Sequence, residues 1–140
     1  MITARYLADT SAIVRLLADH QDRHGFDQAL TAGLVAIGDL TELELLYAAR
    51  SASDRAALLT VLRDLYTWCP TPDRAFERAR QVQTELTTRG QHRSAGPVDL
   101  LVAATAELSG LTLLHCDRDF ETIATVTGQS TRTLVDRPSH

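Results

Sequence analysis

With 140 residues, 44% of them hydrophobic and 23% charged, the chain has the size and composition of one ordinary soluble domain with one core. No apolar run approaches the ~18 residues of a membrane span, and no basic segment followed by a long apolar one opens the chain, so a cytoplasmic protein is expected. A net charge of -4 argues against a non-specific nucleic-acid binder, which relies on many phosphate contacts, but leaves room for an enzyme whose acidic site takes its positive charge from a metal.

All 14 basic residues other than histidine are arginine. The two cysteines, Cys69 and Cys116, form no C-x-x-C pair and suggest no disulfide framework. Cys116 lies in an apolar run and reads as a small buried hydrophobe.

In chain order, residues 4–8 read as a first strand that ends in Asp9. Ser11 to about Asp19 reads as a helix capped by Asp9 or Thr10. Arg23 to Ala32 follows as a second helix, closed by Gly33. Leu34-Val35-Ala36-Ile37 is a continuous apolar run, as expected of a strand covered on both faces. Asp39-Leu40-Thr41-Glu42 has the spacing of a capping box, with Glu42 at the third helical position. The helix it opens runs to about Arg50; Leu40, Leu43, Leu45, Leu46 and Tyr47 cover most of its circumference, so it is expected to be largely buried.

Ser53 caps a helix to roughly Leu65, and Tyr66 to Cys69 reads as a short strand ended by Pro70. Thr71-Pro72 is a cap followed by proline at the first helical position, opening a helix to about Arg89 that Gly90 stops. Its apolar face holds Ala75, Phe76, Ala79, Val82 and Leu86 beside Gln83. A polar loop with His92 and Arg93 leads to Pro97, which opens a helix whose stripe is Val98, Leu101, Val102, Thr105 and Leu108. Leu111 to His115 is a third clear strand, again followed by an acid, Asp117. Asp119 to Val126 forms a turn and helix, and Thr133-Leu134-Val135 a last edge strand. Residues 136–140 read as a frayed tail of a single domain spanning 1–140.

Short strands separated by helices imply an α/β fold: a parallel sheet of 4–5 strands with helices on both faces. In such a sheet the carboxyl ends of the strands share one edge, where sites are built. Asp9 and Asp117 both fall there. Asp99 lies in the first turn of a helix, where an acid can serve merely as a dipole partner. Glu44 lies between Leu43 and Leu45, where burying a lone carboxylate is costly, so it must face a polar cavity or find a partner. Carboxylates packed together repel, and such a cluster needs a bound cation or raised pKa values. Oxygen-only ligands suit Mg²⁺ or Mn²⁺ rather than zinc.

These pieces together resemble a PIN-domain ribonuclease of the VapC toxin type. The resemblance rests on Leu7-Ala8-Asp9-Thr10-Ser11-Ala12, on Leu43-Glu44-Leu45-Leu46-Tyr47-Ala48-Ala49-Arg50, on Gly96-Pro97-Val98-Asp99-Leu100-Leu101-Val102-Ala103-Ala104-Thr105-Ala106 and on Leu114-His115-Cys116-Asp117-Arg118-Asp119-Phe120-Glu121-Thr122-Ile123. It implies a three-layer α/β/α sandwich and a Mg²⁺- or Mn²⁺-dependent endoribonuclease. It further implies a cognate VapB-type antitoxin, a homodimer and a toxin–antitoxin hetero-oligomer. The family's acids carry over to Asp9, Glu44, Asp99 and Asp117, with Asp119 an alternative metal ligand and Ser11 the nearby hydroxyl.

The expected chemistry is in-line attack of water on an RNA phosphodiester, leaving a 5′-phosphate and a 3′-hydroxyl. Asp9, Asp99 and Asp117 hold the metal. Glu44 orients or deprotonates the water, and Ser11 positions water or phosphate. Thr10, Arg93 and His92, with Arg15 and Arg89, are candidate substrate contacts. Two other readings remain: a PIN-like scaffold that binds RNA or protein without cutting, and a DNA-directed flap-type nuclease, which would call for a longer and more basic chain. Phospho-receivers and haloacid-dehalogenase-like phosphatases also place an acid after the first strand, but both require a lysine that this chain lacks.

Overall fold

The structure, a computed structural model, describes residues 3–134. Five short strands form one all-parallel sheet in the order β3-β2-β1-β4-β5. They are β1 (Tyr6–Ala8), β2 (Val35–Gly38), β3 (Thr67–Cys69), β4 (Thr112–His115) and β5 (Thr131–Thr133). β1 lies at the centre, with Leu7 in register with Ala36 on one side and Leu113 on the other. Seven helices connect the strands among the described residues: α1 (Thr10–Leu17), α2 (Asp27–Thr31), α3 (Asp39–Tyr47), α4 (Ala52–Leu65), α5 (Ala75–Thr88), α6 (Pro97–Leu108) and α7 (Arg118–Thr127).

Successive residues of a strand point to opposite faces, and the core divides accordingly. Leu7, Ala36, Cys69 and Leu113 pack with Val82, Leu86, Val102, Phe120 and Ile123 from α5, α6 and α7. Ala8, Val35, Ile37 and Leu114 pack with Ala12, Ile13, Leu16, Leu45 and Leu62 from α1, α3 and α4. The result is the expected α/β/α sandwich. With both faces covered, the strands read as continuous apolar runs, which made β2 and β4 legible.

Several local expectations are corrected. The second helix begins at Asp27, not Arg23. The Asp19 carboxylate accepts the backbone N–H groups of Arg23 at 2.8 Å and His24 at 2.9 Å, holding those residues in a turn. The capping box at Asp39 does not form: Gly38 is the N-cap of α3 and has no side chain to offer. Asp39 instead accepts from the Trp68 indole at 3.0 Å, and Glu42 pairs with Arg63 at 3.4 Å. Ser51, not Ser53, caps α4, accepting the Asp54 N–H at 3.1 Å while Asp54 accepts that of Arg50. Thr71-Pro72 precedes a turn closed by Ala75 N–H to the Pro72 carbonyl, so α5 starts at Ala75.

Two burial expectations also fail. Helix α3 buries only Thr41, Leu45 and Leu46, leaving Leu43 62% and Tyr47 91% exposed; Phe76 of α5 is 56% exposed. Leu43 and Tyr47 share a helical face four residues apart, turned away from the sheet. The last strand is Thr131–Thr133 rather than Thr133 to Val135. Val135 and the tail 136–140 lie outside the described residues.

Candidate active site

Asp9 stands at the end of the central strand and caps α1. Its carboxylate accepts the Ala12 N–H at 2.9 Å and the Ser11 hydroxyl at 2.8 and 2.9 Å. Thr10 is the first residue of α1 and not its cap. Only 6% of Asp9 is exposed. Burial pushes its carboxyl above the usual range, against the lowering effect of the Ala12 N–H and the Ser11 bonds. Ser11 also accepts the Cys116 N–H at 3.0 Å, so one hydroxyl ties the exit of β1 to the exit of β4. Its single proton is committed to Asp9.

Asp117 follows β4 by two residues and caps α7, accepting the Asp119 N–H at 3.0 Å. Asp99 sits in the first turn of α6, behind Pro97. Carboxylate oxygens of Asp99, Asp117 and Asp119 lie within 4.8 Å of one another. The sequence favoured Asp117 over Asp119 as the nearer ligand; here both belong to the group, and the Asp117 charge acts on Asp99 more strongly than that of Asp119. Burial and then the Asp117 charge push the Asp99 carboxyl up to about 6, with Asp119 and Asp9 adding to the rise and the Gly96 N–H opposing it. Asp119 is raised as well, by slight burial and by Asp117. Four acids from three chain segments therefore share one edge of the sheet. Asp9 stands outside the tight trio, and its charge reaches Asp99.

A model of the PIN domain family matches residues 6–126. The chain is 43% identical to ribonuclease VapC2 of Mycobacterium tuberculosis over 99% of its own length and 98% of the relative's. The chain belongs to the PIN-domain family, on its VapC branch. It is also 40% identical to ribonuclease VapC21 of the same species, over 96% of each chain. Among solved structures, the DNA-bound VapBC of Salmonella typhimurium superposes with a TM-score of 0.76 at 21% identity, covering 94% of this chain and 98% of that one. VapBC-5 of M. tuberculosis, a toxin–antitoxin system, superposes with a TM-score of 0.61 at 26% identity, covering 96% and 99%.

The other residues singled out from the sequence sit variously in this PIN domain. Glu44 is exposed rather than buried, and it has a partner: the Thr10 hydroxyl donates to it at 2.9 Å. That bond links α3 to the first turn of α1, beside Asp9, and occupies Thr10. His92 and Arg93 lie on the exposed loop before α6, and Arg89 is spent on Glu85 at 3.1 Å. Cys116 is half-buried.

The sequence assigned His115 no role, since neighbours on a strand point to opposite faces and His115-Cys116-Asp117 cannot converge on a zinc ion. It is fully buried at the end of β4, and its Nδ1 accepts the Asp117 N–H at 3.1 Å. An accepting Nδ1 places the ring proton on Nε2. Nε2 is buried with no hydrogen-bond partner. The ring thus fixes the chain where it turns from strand to acid. A histidine in an apolar strand carries no periodic signal that would have revealed this.

Ser11→Ala removes a donor from a buried carboxylate and the acceptor of a backbone N–H. A loss of about 2 kcal/mol in unfolding free energy is expected, read as a lower urea midpoint with unchanged slope. An unchanged midpoint would mean that the bridge contributes nothing.

Proposed function

We propose that this PIN domain is a divalent-metal-dependent endoribonuclease acting as the toxin of a toxin–antitoxin pair, with a VapB-type antitoxin as its partner. The observation that carries the reading is the trio Asp99, Asp117 and Asp119, whose oxygens come within 4.8 Å on the sheet edge that also carries Asp9. The ribonuclease names of the two close relatives and the VapBC complexes among its structural neighbours support the substrate and the partner.

The donor set fits a hard cation. It offers only carboxylate oxygens, and the Asp99 carboxyl is pushed up first by burial and then by the Asp117 charge, a cost to the ionised form that a cation relieves. Asp99, Asp117 and Asp119 would hold Mg²⁺ or Mn²⁺, with Asp9 contributing directly or through water. Such an ion supplies Lewis-acid stabilisation of the charge developing on the phosphate. The remaining work falls to the chain. Ser11 keeps the Asp9 carboxylate aimed and acts through it. Glu44, steadied by Thr10, accepts a proton from the attacking water. The water oxygen bonds to phosphorus in line, the bond to the 3′-oxygen breaks, and that oxygen takes up a proton from solvent, so that the products carry a 5′-phosphate and a 3′-hydroxyl while Glu44 later releases its proton to solvent. His115 positions Asp117 through its backbone N–H.

Chelator-treated protein titrated with Mn²⁺ should melt about 8 °C higher at a hundredfold excess over the dissociation constant. The same preparation should cut single-stranded RNA only when Mg²⁺ or Mn²⁺ is restored. No thermal shift with either ion, together with no cleavage, would overturn the reading.

A further inference from the structure

We propose that the arginine-lined hollow between the end of α1 and the start of α2 is a phosphate subsite, which holds the RNA backbone beside the scissile bond. This inference rests on the ribonuclease reading of the acid cluster. The hollow has a volume of about 450 Å³ and is lined chiefly by Arg15, Asp19, His20, Arg23 and His24.

Helix α1 connects the two places. It begins at the Asp9 cap and ends at the hollow. Ser11 and Arg15 are four residues apart, so they lie on one helical face about 5–6 Å from each other. Ser11 in turn accepts the Cys116 N–H at the exit of β4, so this face of α1 adjoins the strand ends. A chain whose scissile phosphate lies at the acids therefore has its neighbouring phosphate within reach of Arg15.

The charges of the hollow favour an anion. Arg63, Arg74, Arg78 and Arg89 each pair with a glutamate. Among the described residues neither Arg15 nor Arg23 has a carboxylate within ion-pair distance; Arg23 makes only a 3.4 Å contact to the Gln21 side chain. Asp19 is the one acid in the lining, and it faces the backbone N–H groups of Arg23 and His24. Asp22 does the same for the N–H of Asp27 at 3.1 Å. The acids of this loop thus build its shape. Asp22 takes a left-handed φ of 52°, a conformation that costs free energy in a non-glycine residue and persists only where the surroundings enforce it. Arg23, next to Asp22, consequently stands on a defined turn, while Arg15 is held by α1.

A guanidinium fork matches two phosphate oxygens, independently of base identity. A protein of net charge -4 with an acidic catalytic edge needs local positive charge there to hold a polyanion. Arg15 also lies in the last turn of α1, where it complements the helix dipole. Arg23 lies outside any helix, and the dipole does not account for it.

The test compares the parent, Arg15→Gln/Arg23→Gln and the charge control Arg55→Gln on exposed α4. Steady-state cleavage is measured in Mn²⁺ on a 12-nucleotide single-stranded RNA and on a dinucleotide that carries only the scissile phosphate. On the 12-mer the double variant should show KM raised about tenfold with kcat retained. The slope of log KM against log salt should fall by about 1.4, or 0.7 for each lost phosphate contact on a single strand. Arg55→Gln should match the parent, and all three proteins should match on the dinucleotide. Equal KM and slope for parent and double variant on the 12-mer would overturn the subsite while leaving the nuclease intact. An equal loss on the dinucleotide would overturn it by placing the arginines at the scissile phosphate. A parent that cuts neither RNA would remove the ribonuclease reading and the subsite with it. Mn²⁺ affinity by calorimetry and the urea midpoint should be unchanged in the double variant; loss of either would trace the effect to the metal site or the fold and overturn the assignment.

Discussion

Asp99→Asn is expected to lower RNA cleavage by about 10³-fold or more and yet to raise the melting temperature of the metal-free protein at pH 8. The two effects share one cause. Asp99 has its carboxyl pushed up to about 6 by burial first and by Asp117 next. For an acid with a raised folded-state value, the folded protein holds the proton more tightly than the unfolded chain does. The stabilisation is fully present below the unfolded value near 3.8 and is lost as pH rises through about 6. At pH 8 the ionised group is therefore a net cost, and asparagine removes it. The unscreened gap corresponds to about 3 kcal/mol; solvent screening of this partly exposed group brings it to about 1 kcal/mol, or roughly 3–4 °C. The gain should vanish towards pH 4. Saturating Mn²⁺ should invert the order, because only the parent keeps the full ligand set. The activity loss follows from removing one carboxylate from a cation that stabilises developing charge by several kcal/mol, where each 1.36 kcal/mol is a factor of ten. Melting curves at pH 8 and pH 4, with and without Mn²⁺, check the first effect, and cleavage rates check the second. A variant that cuts RNA at the parental rate would remove Asp99 from the site.

Phe120→Ala is expected to cost about 3–5 kcal/mol of stability, a large part of what a domain of this size possesses. Phe120 is 1% exposed, and its ring lies 5.3 Å from that of His115 in a tilted pair. It is the third residue of α7, directly after Asp119. It therefore anchors the turn that carries two of the three clustered acids, and truncation leaves a cavity under that turn. Cleavage should fall together with the urea midpoint, in contrast to Asp99→Asn, where activity falls while metal-free stability rises. A Phe120→Leu variant, which fills most of the space, should recover most of both. A Phe120→Ala protein with the parental midpoint would show that the aromatic pair is not what supports the turn.

The strands and the acids at their ends were the most legible part of the chain. Parallel strands covered on both faces read as continuous apolar runs, and Gly33 and Gly110 mark where the runs from Leu34 and from Leu111 begin. Asp9 and Asp117 follow from that pattern alone. Asp99 needed the added signal of Pro97, which marks the start of α6. Glu44 was singled out in part for a burial cost that it does not meet, since its helix exposes that face, but the partner expected of it is present in the Thr10 hydroxyl. Caps were the least legible. Asp39, Ser53 and Thr71 all carry cap chemistry in the sequence, yet Trp68, Ser51 and the Pro72 turn decide the matter through partners up to 29 residues away. His115 and the Ser11 bridge depend on which atoms meet across the sheet, and periodicity holds no record of that.

The Ser11 hydroxyl and the Cys116 amide are 105 residues apart in sequence, and the strand that separates β1 from open space on that side is β4, the fourth to be synthesised. A ribosome making this protein releases Asp9 early and Asp117 late. Until β4 has docked beside β1, the first acid has no Asp99, Asp117 or Asp119 opposite it. The cluster is thus absent from every nascent chain that stops short of its final quarter.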